Sequence, residues 1–154
     1  MTEGTQGTEA VRRAPPPDER PQQTNRTLRN LLAEDDREMR ALLSSGLREA
    51  GYFVDEAENG MDLLAKLARS LLGLPDGGPI DIVVTDIRMP GFSGLEVLAA
   101  LRNTDHSVPV ILITAFGDEQ THELAGRLGA NAILDKPFDV GELRSVVSSV
   151  VSPS

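Results

Sequence analysis

The sequence predicts an α/β fold in which one doubly wound parallel sheet is covered by helices on both faces. Two observations carry this. Short β-type runs alternate strictly with longer runs whose apolar residues recur at helical spacing, and such alternation implies right-handed crossovers between parallel strands. In addition, the third β-type run, Ile80-Asp81-Ile82-Val83-Val84, is apolar enough to be the central strand.

The strands are read at Leu28 to Ala33, Phe53 to Ala57, Ile80 to Thr85, Val108 to Thr114 and Ala132 to Leu134. Between them lie helical faces made by Met39, Leu42, Leu43 and Leu47, then Met61, Leu64, Ala65, Ala68 and Leu71, then Leu95, Leu98 and Ala99. Two more follow: Leu124, Ala125 and Leu128, then Val140, Leu143, Val146, Val147 and Val150. Asn59 with Asp62, Ser93 with Glu96, and Asp139 with Glu142 each place a capping side chain three residues before an acid, which marks a helix start. Gly51 and Gly129 stand where helices should stop, and Gly73 opens a Gly/Pro-rich loop that runs to Pro79.

The 154-residue length suits one domain, with 40% hydrophobic residues to fill it but no Trp, 1 Tyr and 4 Phe. The core must therefore be built from Leu, Val, Ile and Ala. Charge is uneven: Glu3, Glu9, Asp18 and Glu19 balance Arg12, Arg13, Arg20 and Arg26, so the whole net charge of -9 falls after residue 27. Residues 1–27, rich in Thr, Gln and Pro with Pro15-Pro16-Pro17, have little to bury and are expected to be a disordered tail, leaving 28–151 as the folded domain. So acidic a domain is expected to repel DNA and anionic membranes. No apolar run approaches the ~18 residues of a membrane span, and the first residues do not look like a signal peptide, so a cytoplasmic location is expected. With 0 Cys there is neither a disulfide nor a thiolate nucleophile.

In open parallel sheets, ligands bind beyond the carboxyl ends of the strands, where strand order reverses. Strand one ends in Glu34-Asp35-Asp36, strand three in Asp86 and strand four in Thr114, while strand five is followed by Asp135-Lys136-Pro137. Carboxylates, a hydroxyl and an ammonium are thus delivered to one sheet edge. Any one of these alone is ordinary: an acidic turn is usually a solvated cap, a strand-end Thr reflects β propensity, and a lone Lys is usually surface. Their convergence points to a site. Lys66 and Lys136 are the only lysines beside 13 arginines. An ammonium can reach a single buried oxygen without the width of a guanidinium, which favours a role for Lys136, while Lys66 is read as solvent-facing.

Four segments, Leu31-Leu32-Ala33-Glu34-Asp35-Asp36, Asp81-Ile82-Val83-Val84-Thr85-Asp86-Ile87-Arg88-Met89-Pro90-Gly91, Val110-Ile111-Leu112-Ile113-Thr114-Ala115 and Asp135-Lys136-Pro137-Phe138, resemble in order and spacing the receiver domain of bacterial two-component response regulators. The resemblance implies a flavodoxin-like (βα)5 fold with strand order 2-1-3-4-5. It implies that Asp86 accepts a phosphoryl group from a histidine kinase or a histidine phosphotransfer protein. It also implies that Glu34, Asp35, Asp86 and the backbone carbonyl of Arg88 hold Mg²⁺, and that Lys136 and Thr114 take phosphoryl oxygens, with a cis bond between Lys136 and Pro137. On chemical grounds, crowded carboxylates suit a hard cation such as Mg²⁺ better than Zn²⁺, for which only His106 and His122 are available. Asp36 is assigned to the helix cap.

By the same resemblance, phosphorylation draws Thr114 and the loop from Ala115 toward the site and switches the surface of the fourth helix, fifth strand and fifth helix, through which a protein target or a second copy binds. The switch position three before Lys136 is usually aromatic; here it is Ile133, so the readout is expected to fall on Phe116 to Glu123 instead. Arg88 and Phe116 flank the site and are expected to shield the acyl phosphate from water, giving slow self-dephosphorylation. The domain is thus read as a phosphoacceptor rather than an enzyme. With only Ser152-Pro153-Ser154 after the fifth helix, it is read as a stand-alone receiver without an output domain.

Two other classes compete. A Mg²⁺-dependent phosphatase using an Asp nucleophile would place a second acid two residues on, where this chain has Arg88. A phosphate-independent interaction module of receiver shape would be favoured by loss of a site residue, and Ile133 is the feature that keeps it open. A dinucleotide-binding domain fares worse than the phosphatase, because the turn after strand one, Glu34-Asp35-Asp36, lacks the glycines that admit a pyrophosphate.

Overall fold

The computed structural model describes residues 27–75, 78–104, 107–115 and 117–151. The expected tail at 1–27 therefore lies almost wholly outside the described residues, as do Phe116, His106 and the residues after Val151. Along the chain the elements are β1 (Arg29–Ala33), α1 (Arg37–Glu49), β2 (Phe53–Ala57), α2 (Gly60–Leu71), β3 (Ile82–Asp86), α3 (Gly94–Asn103), β4 (Val110–Thr114), α4 (Glu119–Leu128), β5 (Ala132–Asp135) and α5 (Val140–Val151).

The five strands form one sheet in the order β2-β1-β3-β4-β5, with every pairing parallel. This is the predicted flavodoxin-like order. β3 and β4 are buried along their whole length, as central strands between two helical layers must be. One apolar layer packs Leu63 and Leu67 of α2, Val97, Leu98 and Leu101 of α3, and Ala125 of α4 against Leu31, Val83 and Leu112. The other packs Leu43 and Leu47 of α1 and Leu143 and Val147 of α5 against Leu32, Ile82, Val84, Ile111 and Ile113. Each such side chain contributes roughly 1.5–3 kcal/mol when fully buried, against about 1 kcal/mol or less for a surface ion pair, so the two layers dominate stability.

The expected caps form. Ser93 and Glu96 make a reciprocal capping box, Asp139 and Glu142 exchange the same pair of bonds, Asn59 accepts from the Asp62 N–H, and Asp36 accepts from the Glu38 and Met39 N–H groups. Gly129 ends α4 at φ 98°, a conformation that favours glycine. Strand starts shift inward from the sequence reading. Ile80 gives its N–H to Ser70 Oγ at 3.0 Å rather than to a neighbouring strand, and Pro109 has no N–H to give, so β3 begins at Ile82 and β4 at Val110. At the other end β3 extends to include Asp86.

Three expectations are corrected. The buried face of α2 is Gly60, Leu63 and Leu67, while Met61, Ala65, Ala68 and Leu71 of the expected face are exposed. Asp62, Lys66, Arg69 and Ser70 line one side of that helix and its apolar residues spread over the wide remainder, so periodicity could not choose which part of that arc faces the core. The choice is made by Gly60, where an added Cβ would lie 2.0 Å from the Phe92 carbonyl oxygen. Leu42 of α1 is likewise 56% exposed. Lys66 does not simply face water: its ammonium donates to the Glu56 carbonyl and pairs with Asp62 at 3.2 Å, tying α2 to the end of β2.

Asn30 is fully buried in β1, beside Val54 and Ile82, and neither polar atom of its amide has a partner among the described residues. An unsatisfied buried amide costs about 1–3 kcal/mol. Asn30→Leu, of similar volume, is therefore expected to raise unfolding stability by about 1 kcal/mol or more in urea denaturation; a lower midpoint would show that the amide is satisfied.

Candidate functional site

The carboxyl ends of β1, β3 and β4 and the start of the segment after β5 meet at one edge, because the sheet order sets β1, β3 and β4 side by side. Glu34, one residue past β1, is 1% exposed, and Asp86, the last residue of β3, is 5% exposed. Asp35 between the strand and α1 is exposed. These three residues present carboxylate oxygens that all lie within 4.8 Å of one another, a group able to hold a metal ion. Asp36 points away into the cap of α1, as expected.

Lys136 reaches into this acidic group. Its Nζ lies 2.8 Å from Asp86 Oδ2 and 3.4 Å from Glu34 Oε1. Two features of the backbone aim it: the Lys136 N–H donates to the Thr114 carbonyl at 2.8 Å, and the Lys136–Pro137 bond is cis. Thr114, the last residue of β4, is 2% exposed and stands opposite Asp135 in the register with β5. The second oxygen of Asp86 accepts the Arg88 N–H at 3.2 Å. Gly94 permits the close approach of α3 to this strand end, since an added Cβ would lie 2.5 Å from the Asp86 carbonyl oxygen. Asp35, Arg88, Met89, Pro90 and Ser93 border an open cleft of about 500 Å³ beside the acidic group.

The electrostatics follow from this crowding. Burial, the largest cause, and the neighbouring Asp86 charge push the Glu34 carboxyl from its ordinary 4.5 up to about 7, against the opposing pull of the Asp36 N–H and the Lys136 ammonium. Like-charge repulsion was the expected cause; burial turns out to outweigh it. For Lys136, partial burial works against the charge, but contact with Asp86 and Glu34 holds the ammonium above its ordinary range.

Sequence reading did not find three supports of the site. Arg40, one turn into α1, donates to the Glu34 carbonyl at 2.7 Å and pairs with Glu56 at 3.4 Å, fixing the backbone under the acid. His122 Nε2 of α4 lies 2.9 Å from Asp135 Oδ1, and Gly117 fits against that contact because an added Cβ would lie 1.7 Å from the same oxygen. Of these only Gly117 carried a signal, a glycine in the loop before α4, which is common without such a role, and Arg40 and His122 carried none. Of the expected switch residues, Ala115 is exposed, Arg88 is exposed, and Ile133 is half-buried against the layer shared by α2, α3 and α4. Phe116 lies outside the described residues.

The family model described as Response regulator receiver domain matches residues 31–148. The chain belongs to that family. Among curated relatives, the transcriptional regulatory protein TcrA of Mycobacterium tuberculosis is 39% identical over 117 residues, 75% of this chain and 43% of the relative. The transcriptional regulatory protein CpxR of Escherichia coli is 37% identical over 124 residues, 80% of this chain and 49% of the relative. The receiver thus spans about half the length of these relatives. The crystal structure of the chemotaxis protein CheY4 of Vibrio cholerae superposes with a TM-score of 0.71 at 25% identity, covering 81% of this chain and 99% of that one. Among the described residues, no helix of this receiver is long and apolar enough to cross a membrane.

The sign of the Glu34 effect on stability follows from its direction. Between about pH 4.5 and 7 the folded chain keeps a proton that the unfolded chain has lost, so this contribution is complete below 4.5 and disappears as the pH rises through 7. In the absence of divalent cations, the native chain should therefore lose stability relative to Glu34→Gln between about pH 5 and pH 8 in urea titrations. A constant difference would show that Glu34 does not carry the shifted proton.

Proposed function

We propose that this receiver accepts a phosphoryl group on Asp86 from a phosphohistidine of a sensor kinase or phosphotransfer protein, with Mg²⁺ bound at Glu34, Asp35 and Asp86. The observation that carries the reading is the Lys136 ammonium 2.8 Å from the Asp86 carboxylate, inside a group of three carboxylates at the strand ends. The donor set fits Mg²⁺: all hard oxygens, few enough to leave places for water and a phosphate oxygen, with neither thiolate nor imidazole in the group. The Arg88 carbonyl is the proposed backbone ligand. When bound, the ion supplies positive charge against one oxygen of the transferred group.

The chain's own residues supply the rest. An Asp86 carboxylate oxygen forms the new bond to phosphorus as the bond from phosphorus to the imidazole nitrogen breaks, and the electron pair leaves with the imidazole. Phosphoryl transfer needs in-line placement and neutralised equatorial oxygens more than it needs covalent help. Lys136, already seated between Asp86 and Glu34, takes one oxygen; the buried Thr114 hydroxyl at the end of β4 takes another. The Arg88 N–H holds the remaining Asp86 oxygen. The domain acts as a phosphoacceptor, and Arg88 and Phe116, each two residues beyond a site residue in the sequence, are the positions that slow its loss of phosphate.

The signal passes to a protein partner through α4, β5 and α5. The His122–Asp135 contact joins α4 to β5, and the loop backbone at Gly117 rests against it. A Thr114 drawn toward a phosphoryl group pulls this loop, so the contact is a point at which movement reaches the surface without an aromatic at Ile133. The named relatives are transcriptional regulators about twice as long, and the surface proposed here is the receiver's own.

Incubation with a small phosphodonor and Mg²⁺ should add the mass of one phosphoryl group to the native chain and none to Asp86→Asn; equal labelling of both would place the acceptor elsewhere. Lys136→Ala should still bind Mg²⁺ but be labelled at least 10-fold more slowly, about 1.4 kcal/mol in the barrier. Phosphate loss from labelled Arg88→Ala should be several-fold faster than from the native chain, and an unchanged half-life would remove Arg88 from the shielding role.

A further inference from the structure

Among the described residues the two most exposed large apolar side chains are Leu72, 74% exposed, and Met61, 61% exposed. They stand at the two ends of α2, Leu72 as its C-terminal cap, with exposed Ala65 and Ala68 between them. The order 61, 65, 68, 72 keeps all four on one stripe of the helix. Leu71, Leu74 and Phe92, 42%, 37% and 40% exposed, extend the patch along its border. Isolated exposed apolar residues need no explanation, but a contiguous patch marks a contact surface.

We propose that this stripe is a self-association surface, through which two copies of the chain pair by antiparallel α2 helices. The stripe itself argues for a second copy. Its order is large, small, small, large, and it reads the same from either end. A two-fold axis between antiparallel helices sets Met61 against Leu72 of the second copy and Ala65 against Ala68, which is the self-complementarity that such symmetry demands. The alanines at the centre let the axes approach to about 8 Å while the long side chains interlock at the ends.

Charge agrees with this geometry. Asp62 follows Met61 and Arg69 follows Ala68, so both lie on the same flank of the stripe. The antiparallel pairing brings Asp62 near Arg69 of the second copy. A parallel two-fold pairing would instead leave Asp62 and Arg69 of the second copy on opposite sides of the contact, so only the antiparallel arrangement joins them. A partner of unrelated sequence has no need of either symmetry.

A 12-residue helix is about 18 Å long, so the contact is smaller than the roughly 1,200 Å² of a standard interface, and the net charge of -9 opposes it. The pairing is therefore weak, concentration-dependent and strengthened by salt. It uses neither Asp86 nor the α4, β5 and α5 surface, so its failure and a failure of phosphoryl transfer are separately visible.

The chain has 0 Cys, which makes disulfide trapping clean. Like positions at residue 61, or at residue 72, would lie about 16 Å apart along the paired helices, beyond disulfide reach, whereas 61 and 72 of opposite copies meet. Oxidation of full-length Met61→Cys mixed with Leu72→Cys should give a covalent heterodimer, and each variant alone should give at least 10-fold less. In sedimentation equilibrium the native chain should gain average mass with concentration, and Ala65→Glu/Ala68→Glu and, separately, Arg69→Glu should lose that gain while keeping their far-UV circular dichroism. A native chain that stays monomeric up to about 1 mM, or trapping that is equally efficient in each variant alone, would overturn the proposal; monomeric behaviour would assign the stripe to an occupant of different sequence.

Discussion

The arrangement depends on holding three carboxylates together at the open edge of a sheet. Glu34, Asp35 and Asp86 come from two strand ends and would repel one another, yet parallel pairing of β1 with β3 leaves them no way apart. One ammonium, on a lysine two strands away, offsets part of that repulsion. Everything that aims Lys136 is backbone or packing: the bond from its N–H to Thr114, the cis bond to Pro137, and the pairing of β4 with β5. The site is therefore left short of positive charge, and burial, with the Asp86 charge added to it, raises the Glu34 pKa.

The same constraint links chemistry to the surface. Thr114 ends β4 and Lys136 directly follows β5, and each is continuous with a segment that reaches the outside: Thr114 with the loop into α4, Lys136 with the start of α5. A group added at Asp86 changes the charge that both of them face. The close packing of Gly117, His122 and Asp135 means that the loop cannot shift without disturbing the side-chain contact beside it. β3 and β4 are buried on both faces, which holds their strand ends more firmly than the exposed segments beyond them.

Much of this was legible because the informative residues are local. Alternating periodicity specified the elements, and the capping pairs Asn59 with Asp62, Ser93 with Glu96 and Asp139 with Glu142 located three helix starts, since a cap is an interaction between residues three apart. The acids after β1 and β3 were visible as departures from apolar runs. What was not legible concerns direction and distance. Arg40 is one of 13 arginines, and nothing local separates the one beneath Glu34 from the rest. In α2 a single wide apolar arc carries both Leu63 with Leu67 and Met61 with Ala65 and Ala68, so the hydrophobic pattern alone assigned the wrong stripe to the core.

By itself, the sequence determined the α/β class, the five units and the residues that arrive at the strand ends, because these depend on hydrophobic period, caps and strand termini that span a few residues each. Only the tertiary structure decided that Lys136 meets Asp86 rather than solvent, that burial more than repulsion raises Glu34, and which face of α2 remains outside. Those outcomes turn on contacts between segments far apart in the chain, where the approach of one backbone to another, as at Gly60 and Gly94, fixes what a side chain can reach.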